Sequence, residues 1–230
     1  MTIAGIGAIT AYGWGRERLW DGLLSGKSAA ALQSGYGPGR DEDAWVSLVD
    51  ACRPFQEGSR GFSMGEASVA FVLTRRAERP YAAVLGGAMS NDAYHVVSVD
   101  PTHEQILDCV RRALADAGVA AVDVSYFNAH GTGTRQCDVA EHHLLERLFA
   151  DRPHIYALKP LAGHCEGAAA AVEVAAAALG YDRGIVPAAP IVAPAHPRLL
   201  DGPAAFEGGI TAKLSLGMGG NNSVVVLGVA

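Results

Sequence analysis

Three glycine-flanked polar clusters follow strand-like runs, the place where α/β proteins present ligand chemistry. The first reads Asn128-Ala-His130-Gly-Thr132-Gly-Thr134, with Asp138 and Glu141 just downstream. The second reads Lys159-Pro-Leu-Ala-Gly163-His164-Cys165-Glu166-Gly167, with Glu173 further along. The third is Leu216-Gly217-Met218-Gly219-Gly220-Asn221-Asn222. A histidine in a glycine-flanked turn can be approached closely by a substrate, and its imidazole can donate a hydrogen bond to a developing oxyanion. Two such histidines make a donor pair. Lys159 lies five residues before His164 and fourteen before Glu173, so it can ion-pair with a carboxylate on the following helix and bias histidine protonation.

These clusters need elements to hold them. Residues 124–128 form a β-type run that delivers the first cluster, and residues 155–158 a short one that delivers the second. Residues 212–216 and 223–227 are two more runs, closing on the glycines of the third. Residues 139–149 and 168–179 read as helices, the latter so alanine-rich that it must be covered on more than one side. Upstream, residues 2–10, 67–74 and 82–89 read as strands. Leu19, Trp20, Leu23 and Leu24 recur at helical spacing within residues 16–25, as do Ile106, Leu107, Val110 and Leu114 within 104–117. Pro101-Thr102 opens the latter helix and Gly118 ends it. From residue 26 to about 43 the pattern dissolves into Gly, Ser, Pro and charge, the chemistry of a loop or linker. Strands alternating with helices predict an α/β fold around a sandwiched sheet.

At 230 residues the chain is long enough for a sizeable core. Half of it is apolar, only 18% is charged and the mean hydropathy is +0.16, which excludes a disordered chain and leaves apolar surface for a partner. A net charge of -6 offers no bulk attraction to phosphate backbones or anionic lipid, so neither nucleic acid nor membrane is an expected partner. The longest apolar run, residues 167–180, carries Glu173 in its middle and cannot cross a bilayer. The first ten residues lack the basic segment and cleavage site of a signal peptide, and a cytoplasmic location is expected. Cys52, Cys109, Cys137 and Cys165 show neither zinc spacing nor a disulfide framework; they are expected to be free thiols, with no metal.

The three clusters together resemble the C-terminal half of β-ketoacyl synthases of fatty acid and polyketide synthesis. Cys52-Arg-Pro-Phe55 through Arg60-Gly-Phe62-Ser-Met-Gly65-Glu66-Ala67 resembles the segment before the middle of such chains. Ile3-Ala-Gly-Ile-Gly-Ala-Ile-Thr10 with Leu19-Trp20-Asp-Gly-Leu-Leu-Ser-Gly-Lys27 resembles their opening strand and helix. The resemblance implies a layered α/β/α/β/α thiolase-type arrangement, here reduced, with one sheet incomplete. It divides the single domain of residues 1–230 into an N-terminal strand–helix remnant (1–30), a linker in place of a deleted region (31–49) and a mostly C-terminal half (50–230). An Asp-Thr-Ala-Cys-Ser-Ser type motif, which carries the family's nucleophile, does not occur in this sequence.

By resemblance, His130 and His164 are the pair that polarises a thioester carbonyl, Lys159 the ion-pairing lysine and Glu173 its partner. Thr132, Thr134, Phe62 and the loop Gly217, Met218, Gly219 and Gly220 would line the acyl pocket, with Met218 where the family often has an aromatic gate. The candidates for a substitute nucleophile are Cys165, Cys137 and Cys52. No cofactor is expected beyond the phosphopantetheine arm of an acyl carrier protein, which brings the substrate. Two functions follow. The first is a subunit similar to a chain length factor, paired with a full-length ketosynthase as a heterodimer or with itself. The alternative is a stand-alone decarboxylase or acyl-transfer enzyme on carrier-bound thioesters. Arg53, Arg60, Arg75, Arg76 and Arg79 are candidates for a basic patch that meets an acidic carrier.

Overall fold

The computed structural model describes residues 1–29, 31–34, 43–46 and 52–230, the two four-residue segments by their backbone alone. In chain order the elements are β1 (Thr2–Thr10), β2 (Gly13–Trp14), α1 (Arg16–Leu24), β3 (Ala31–Ser34), β4 (Asp43–Val46), β5 (Ala67–Thr74) and β6 (Ala82–Asn91). They continue with α2 (Glu104–Ala117), β7 (Val124–Asn128), α3 (Arg135–Phe149), β8 (His154–Tyr156), α4 (Lys159–Ala162) and α5 (Ala169–Arg183). Strands β9 (Ile185–Val186), β10 (Ala204–Ala205), β11 (Ile210–Gly217) and β12 (Asn221–Gly228) close the chain.

Eight strands form one sheet. β5 and β6 flank β1, and the order then runs β6-β12-β11-β7-β8, with β2 against the end of β1. The β11–β7 and β7–β8 pairs are parallel and the other pairs antiparallel. Helices cover both faces. On one, Leu19, Trp20 and Leu23 of α1 and the alanines of α5 pack against Ile3, Ile6 and Ala8 of β1 and Leu227 of β12. On the other, Ile106, Val110 and Leu114 of α2 and Leu144 and Leu145 of α3 pack against Phe127, Leu214, Val224 and Val226. The alternating strands and helices thus make the expected α/β sandwich, its layers reduced to helices on either side of one large sheet. Among the described residues no helix is long and apolar enough to cross a membrane, and all four cysteines are free and buried.

Most strand ends lie within two residues of the sequence reading, and the structure departs from it further at three places. The helix expected from residue 139 begins at Arg135, because the polar residues ahead of its apolar stripe fold onto segment 52–61, where Asp138 accepts the Phe55 N–H at 3.3 Å. The helix expected to end at 179 runs on through Gly180 to Arg183. There the Tyr181 hydroxyl reaches the Gly209 and Leu227 carbonyls at 2.9 Å and Thr211 at 3.1 Å, tertiary bonds that outweigh the helix-weakening glycine. The expected linker holds a hairpin, β3 pairing β4 from Ala31↔Val46 to Ser34↔Asp43. Four-residue strands around a glycine-rich stretch need only local register and no long apolar run, so periodicity passes over them.

Candidate active site

His130 sits in the turn that leaves β7. Glu141, fully buried on α3, accepts the backbone N–H of His130 at 2.7 Å and of Gly131 at 2.9 Å, one on each carboxylate oxygen. The helix thereby grips the turn by its main chain and leaves the buried imidazole free to face the cavity. Burial lifts the Glu141 carboxyl to about 7, against those two donors.

His164 follows α4 and is held by backbone pairing with segment 63–65: its N–H donates to Ser63 at 2.7 Å and its carbonyl accepts from Gly65 at 3.0 Å. The approach is close enough that a Cβ on Gly65 would lie 2.3 Å from the Ala162 carbonyl. Gly65→Ala is therefore expected to cost about 1–3 kcal/mol, as an overpacked interior does. A thermal melt checks it, and an unchanged midpoint would mean that this contact does not constrain His164.

The imidazoles of His130 and His164 meet edge to face, ring centroids 5.7 Å apart, and Phe62 packs edge-on to His164 at 4.7 Å. The Glu166 N–H donates to Nδ1 of His164 at 3.1 Å, which places that ring's proton on Nε2. Behind the pair lies a buried ionic cluster. Glu173 of α5 receives Lys159 Nζ on one carboxylate oxygen and Lys213 Nζ on the other, each at 2.7 Å, and all three side chains are buried. Lys159 also donates to the His130 carbonyl. Burial acts to raise the Glu173 carboxyl, but the two ammoniums outweigh it and hold the group below its ordinary value. For His130, burial and then the charges of Lys159 and Lys213 push the pKa well below 6.5. His164 is lowered by burial and then by Lys159. Both rings are consequently neutral N–H donors near pH 7.

The two rings open on a cavity of about 450 Å³, lined also by Phe62, Thr132, Thr134, Cys137, Gly217 and Met218. Glu173 reaches its floor, while Lys159 lies behind it. Gly219 and Gly220 shape the β11–β12 turn rather than the cavity wall: the Gly219 N–H donates to the Val96 carbonyl at 2.7 Å, and both glycines have positive φ. Of the three candidate nucleophiles, only Cys137 faces the cavity. The Cys52 thiol points at the Thr132 carbonyl, 3.6 Å away, and burial pushes it up to about 12. Cys165 is turned toward the Ala162 and Gly163 carbonyls and lifted by burial to about 11. Burial raises Cys137 as well, so none of the three is poised as a thiolate. Lys213 escaped the sequence reading. Its one signal was a lysine inside the apolar run Ala212-Lys213-Leu214 of β11.

Residues 81–192 match the family described as beta-ketoacyl synthase, C-terminal domain. That stretch is similar to the C-terminal domain of β-ketoacyl synthases. Around it, the ketosynthase-like chain is 32% identical over 224 residues to 3-oxoacyl-(acyl-carrier-protein) synthase 2 of Staphylococcus aureus, covering 90% of this chain and 56% of that protein. It is similar to the ketosynthase in complex with its chain length factor from Xenorhabdus doucetiae, with TM-score 0.71, 33% identity and coverage of 80% of this chain and 48% of that one. It is also similar to a type II polyketide ketosynthase in complex with its acyl-carrier protein and bound to the hexaketide, with TM-score 0.72, 25% identity and coverage of 79% and 48%. The ketosynthase-like chain spans 34% to 56% of the length of the curated relatives it matches. The thiolase-like fold implied by the sequence resemblance is thus the fold of its structural neighbours.

Proposed function

We propose that this chain is a ketosynthase-like subunit of fatty acid or polyketide synthesis whose cavity accepts a carrier-bound malonyl thioester and decarboxylates it. The observation that carries this reading is the pair of neutral imidazoles on one cavity wall, backed by a buried lysine–glutamate–lysine cluster. Decarboxylation breaks the bond between the α-carbon and the carboxylate. Carbon dioxide leaves, the electron pair passes into the thioester as an enolate, and a proton from water then gives the acetyl thioester. The charge develops on the thioester oxygen, where Nε2–H of His164 and the N–H of His130 donate without reorganising. Acyl transfer to a cysteine of the chain needs a thiolate, and the raised Cys137, Cys52 and Cys165 thiols do not supply one.

A second role, pairing with a full-length ketosynthase in the manner of a chain length factor, is favoured by the rim. Met89, Val97 and Met218 line the cavity and are exposed, an apolar border of the kind that marks a protein interface. The experiment is malonyl-carrier decarboxylation followed by intact-mass spectrometry, on the chain alone and with a ketosynthase from the same source. Turnover by the chain alone supports the catalytic reading. No turnover alone, with a product length that changes when the chain is omitted from the mixture, replaces it with the pairing role.

The pH dependence carries a sign. Both histidine pKa values lie below 6.5, so the neutral donors persist as pH falls to that value and are lost only below it. The acidic limb of kcat/KM is expected below pH 6.5. A limb above that value in a pH–rate profile would show that the rings are charged in the resting site.

A further inference from the structure

We propose that His103 and His143 form a proton-sensitive latch, which fixes one wall of the cavity to α3 while the two rings share a single proton and releases it when acid adds a second. The wall is Val97 and Val99. Both belong to segment 97–104, which runs from Val96, whose carbonyl accepts the Gly219 N–H, into the first turn of α2. One face of α3 holds that segment. The Val99 N–H donates to Gln136 at 3.3 Å, and Gln136 donates to the Val97 carbonyl at 3.4 Å. Two turns further along α3, Nδ1 of His143 lies 2.9 Å from Nδ1 of His103, and one turn beyond that Arg147 meets Glu104 at 3.5 Å. The amide bonds are long and the ion pair is exposed, so each contributes little. The imidazole pair is the short contact of the set, and His103 is only 8% exposed.

The geometry leaves room for one proton between the rings. A guanidinium only donates, so Arg147, 3.4 Å from Nε2 of His143, makes that nitrogen an acceptor and puts the proton of the ring on Nδ1. Nδ1–H of His143 then donates to a bare Nδ1 of His103. A charged imidazole donates from both nitrogens, so a proton on His103 sets two N–H groups against each other across 2.9 Å and opens the contact. The charges around the pair are of both signs. Asp100 favours the charged ring, but its two oxygens already accept the Thr102 N–H at 3.0 Å and the Thr102 hydroxyl at 2.7 Å. Glu104 is paired with Arg147, and His142, the next residue on α3, turns away to His196, ring centroids 4.7 Å apart. Arg135 borders the same recess as His103, about 620 Å³ in volume, from which water can reach a ring that has come off α3. Burial first, and then His143, hold the His103 imidazole below its ordinary 6.5, with Asp100 opposing both. A histidine whose pKa is lowered in the closed state supports that state fully above 6.5 and ceases to do so as pH falls through the interval beneath.

Hydrogen exchange of the whole chain, read by mass spectrometry on residues 97–107 and corrected for the intrinsic rate, is expected to show protection falling by up to about tenfold per pH unit below 6.5, while β12 keeps its protection. His103→Asn removes the titrating ring, keeps an acceptor oxygen in place of Nδ1, and suits the left-handed φ of 57° at this position. Its protection over residues 97–107 is expected to stay level between about pH 7 and pH 5. Nitrogen NMR of the wild-type histidines is a second readout that needs no variant: near pH 7 the protons are expected on Nδ1 of His143 and on Nε2 of His103. Wild-type protection that ignores pH overturns the latch. So does an equal loss in β12, an equal loss in His103→Asn, or a proton on Nδ1 of His103 near pH 7. The latch rests on the proposed function only for the identity of the cavity it borders. Acid also charges His130 and His164, so carbon dioxide release is scored separately, and failure of the latch is distinguished from failure of the chemistry.

Discussion

His130→Ala and His164→Ala are each expected to lower malonyl-carrier decarboxylation by about 100- to 1,000-fold, the cost of removing one preorganised oxyanion donor. The two losses need not be equal. His164 has its tautomer set by the Glu166 N–H at 3.1 Å and its ring held edge-on by Phe62, so its donor is fixed before substrate arrives. His130 is held through its backbone, by Glu141 and Lys159, and its ring by contact with His164. Loss of His164 therefore also releases His130, and the double variant is expected to fall less than the product of the single losses. The measurement is carbon dioxide release, with acetyl-carrier confirmed by mass. Full activity in both variants would remove the histidine pair from the chemistry and leave the cavity as a binding surface alone.

The parts of this site legible in the sequence are those whose cause is local. Glycines bracketing His130 and His164 announced tight turns, and the spacing of Lys159 and Glu173 anticipated the 2.7 Å ion pair. The helix over 104–117 and the strands over 67–74 and 124–128 fall at the expected residues, since each is bounded by its own turn chemistry and periodicity. What escaped depends on distant segments. Lys213 acquires meaning only when β11 lies beside β7, which puts its ammonium against Glu173 of α5. The separation of Cys137 from Cys165 and Cys52 is likewise tertiary. All three are buried thiols near the histidines, and packing alone decides which of them reaches the cavity. The sequence reading ended the helix at residue 179 because propensity is local, while the bonds of Tyr181 that carry α5 past Gly180 come from β11 and β12.

Glu173→Gln is expected to destabilise the chain by about 3–5 kcal/mol, because it leaves Lys159 and Lys213 buried side by side without a counter-charge. For a chain of this size that corresponds to a fall in Tm of roughly 6–20 °C. The amide keeps the volume and one acceptor oxygen, so the loss reports charge rather than a cavity. Lys213→Met tests the same cluster from the other side. It removes one of two ammoniums that repel each other, leaves the Lys159–Glu173 pair intact, and is expected to cost much less. pH supplies a signature that mere misfolding would lack. Burial and then the charge of Lys159 already lower the pKa of Lys213, with Glu173 opposing both; without Glu173 it falls further. A lysine whose folded pKa lies below its unfolded value destabilises the fold at neutral pH. It sheds its proton more readily in the folded state, so stability is regained as pH rises toward the unfolded value. The deficit of Glu173→Gln should thus narrow between pH 8 and about 10, while that of Gly65→Ala should not. Denaturant titrations at both pH values decide it: a deficit of a few tenths of a kcal/mol, or one that stays constant with pH, would mean that the two ammoniums find other partners and that the cluster does not set the charge felt by His130.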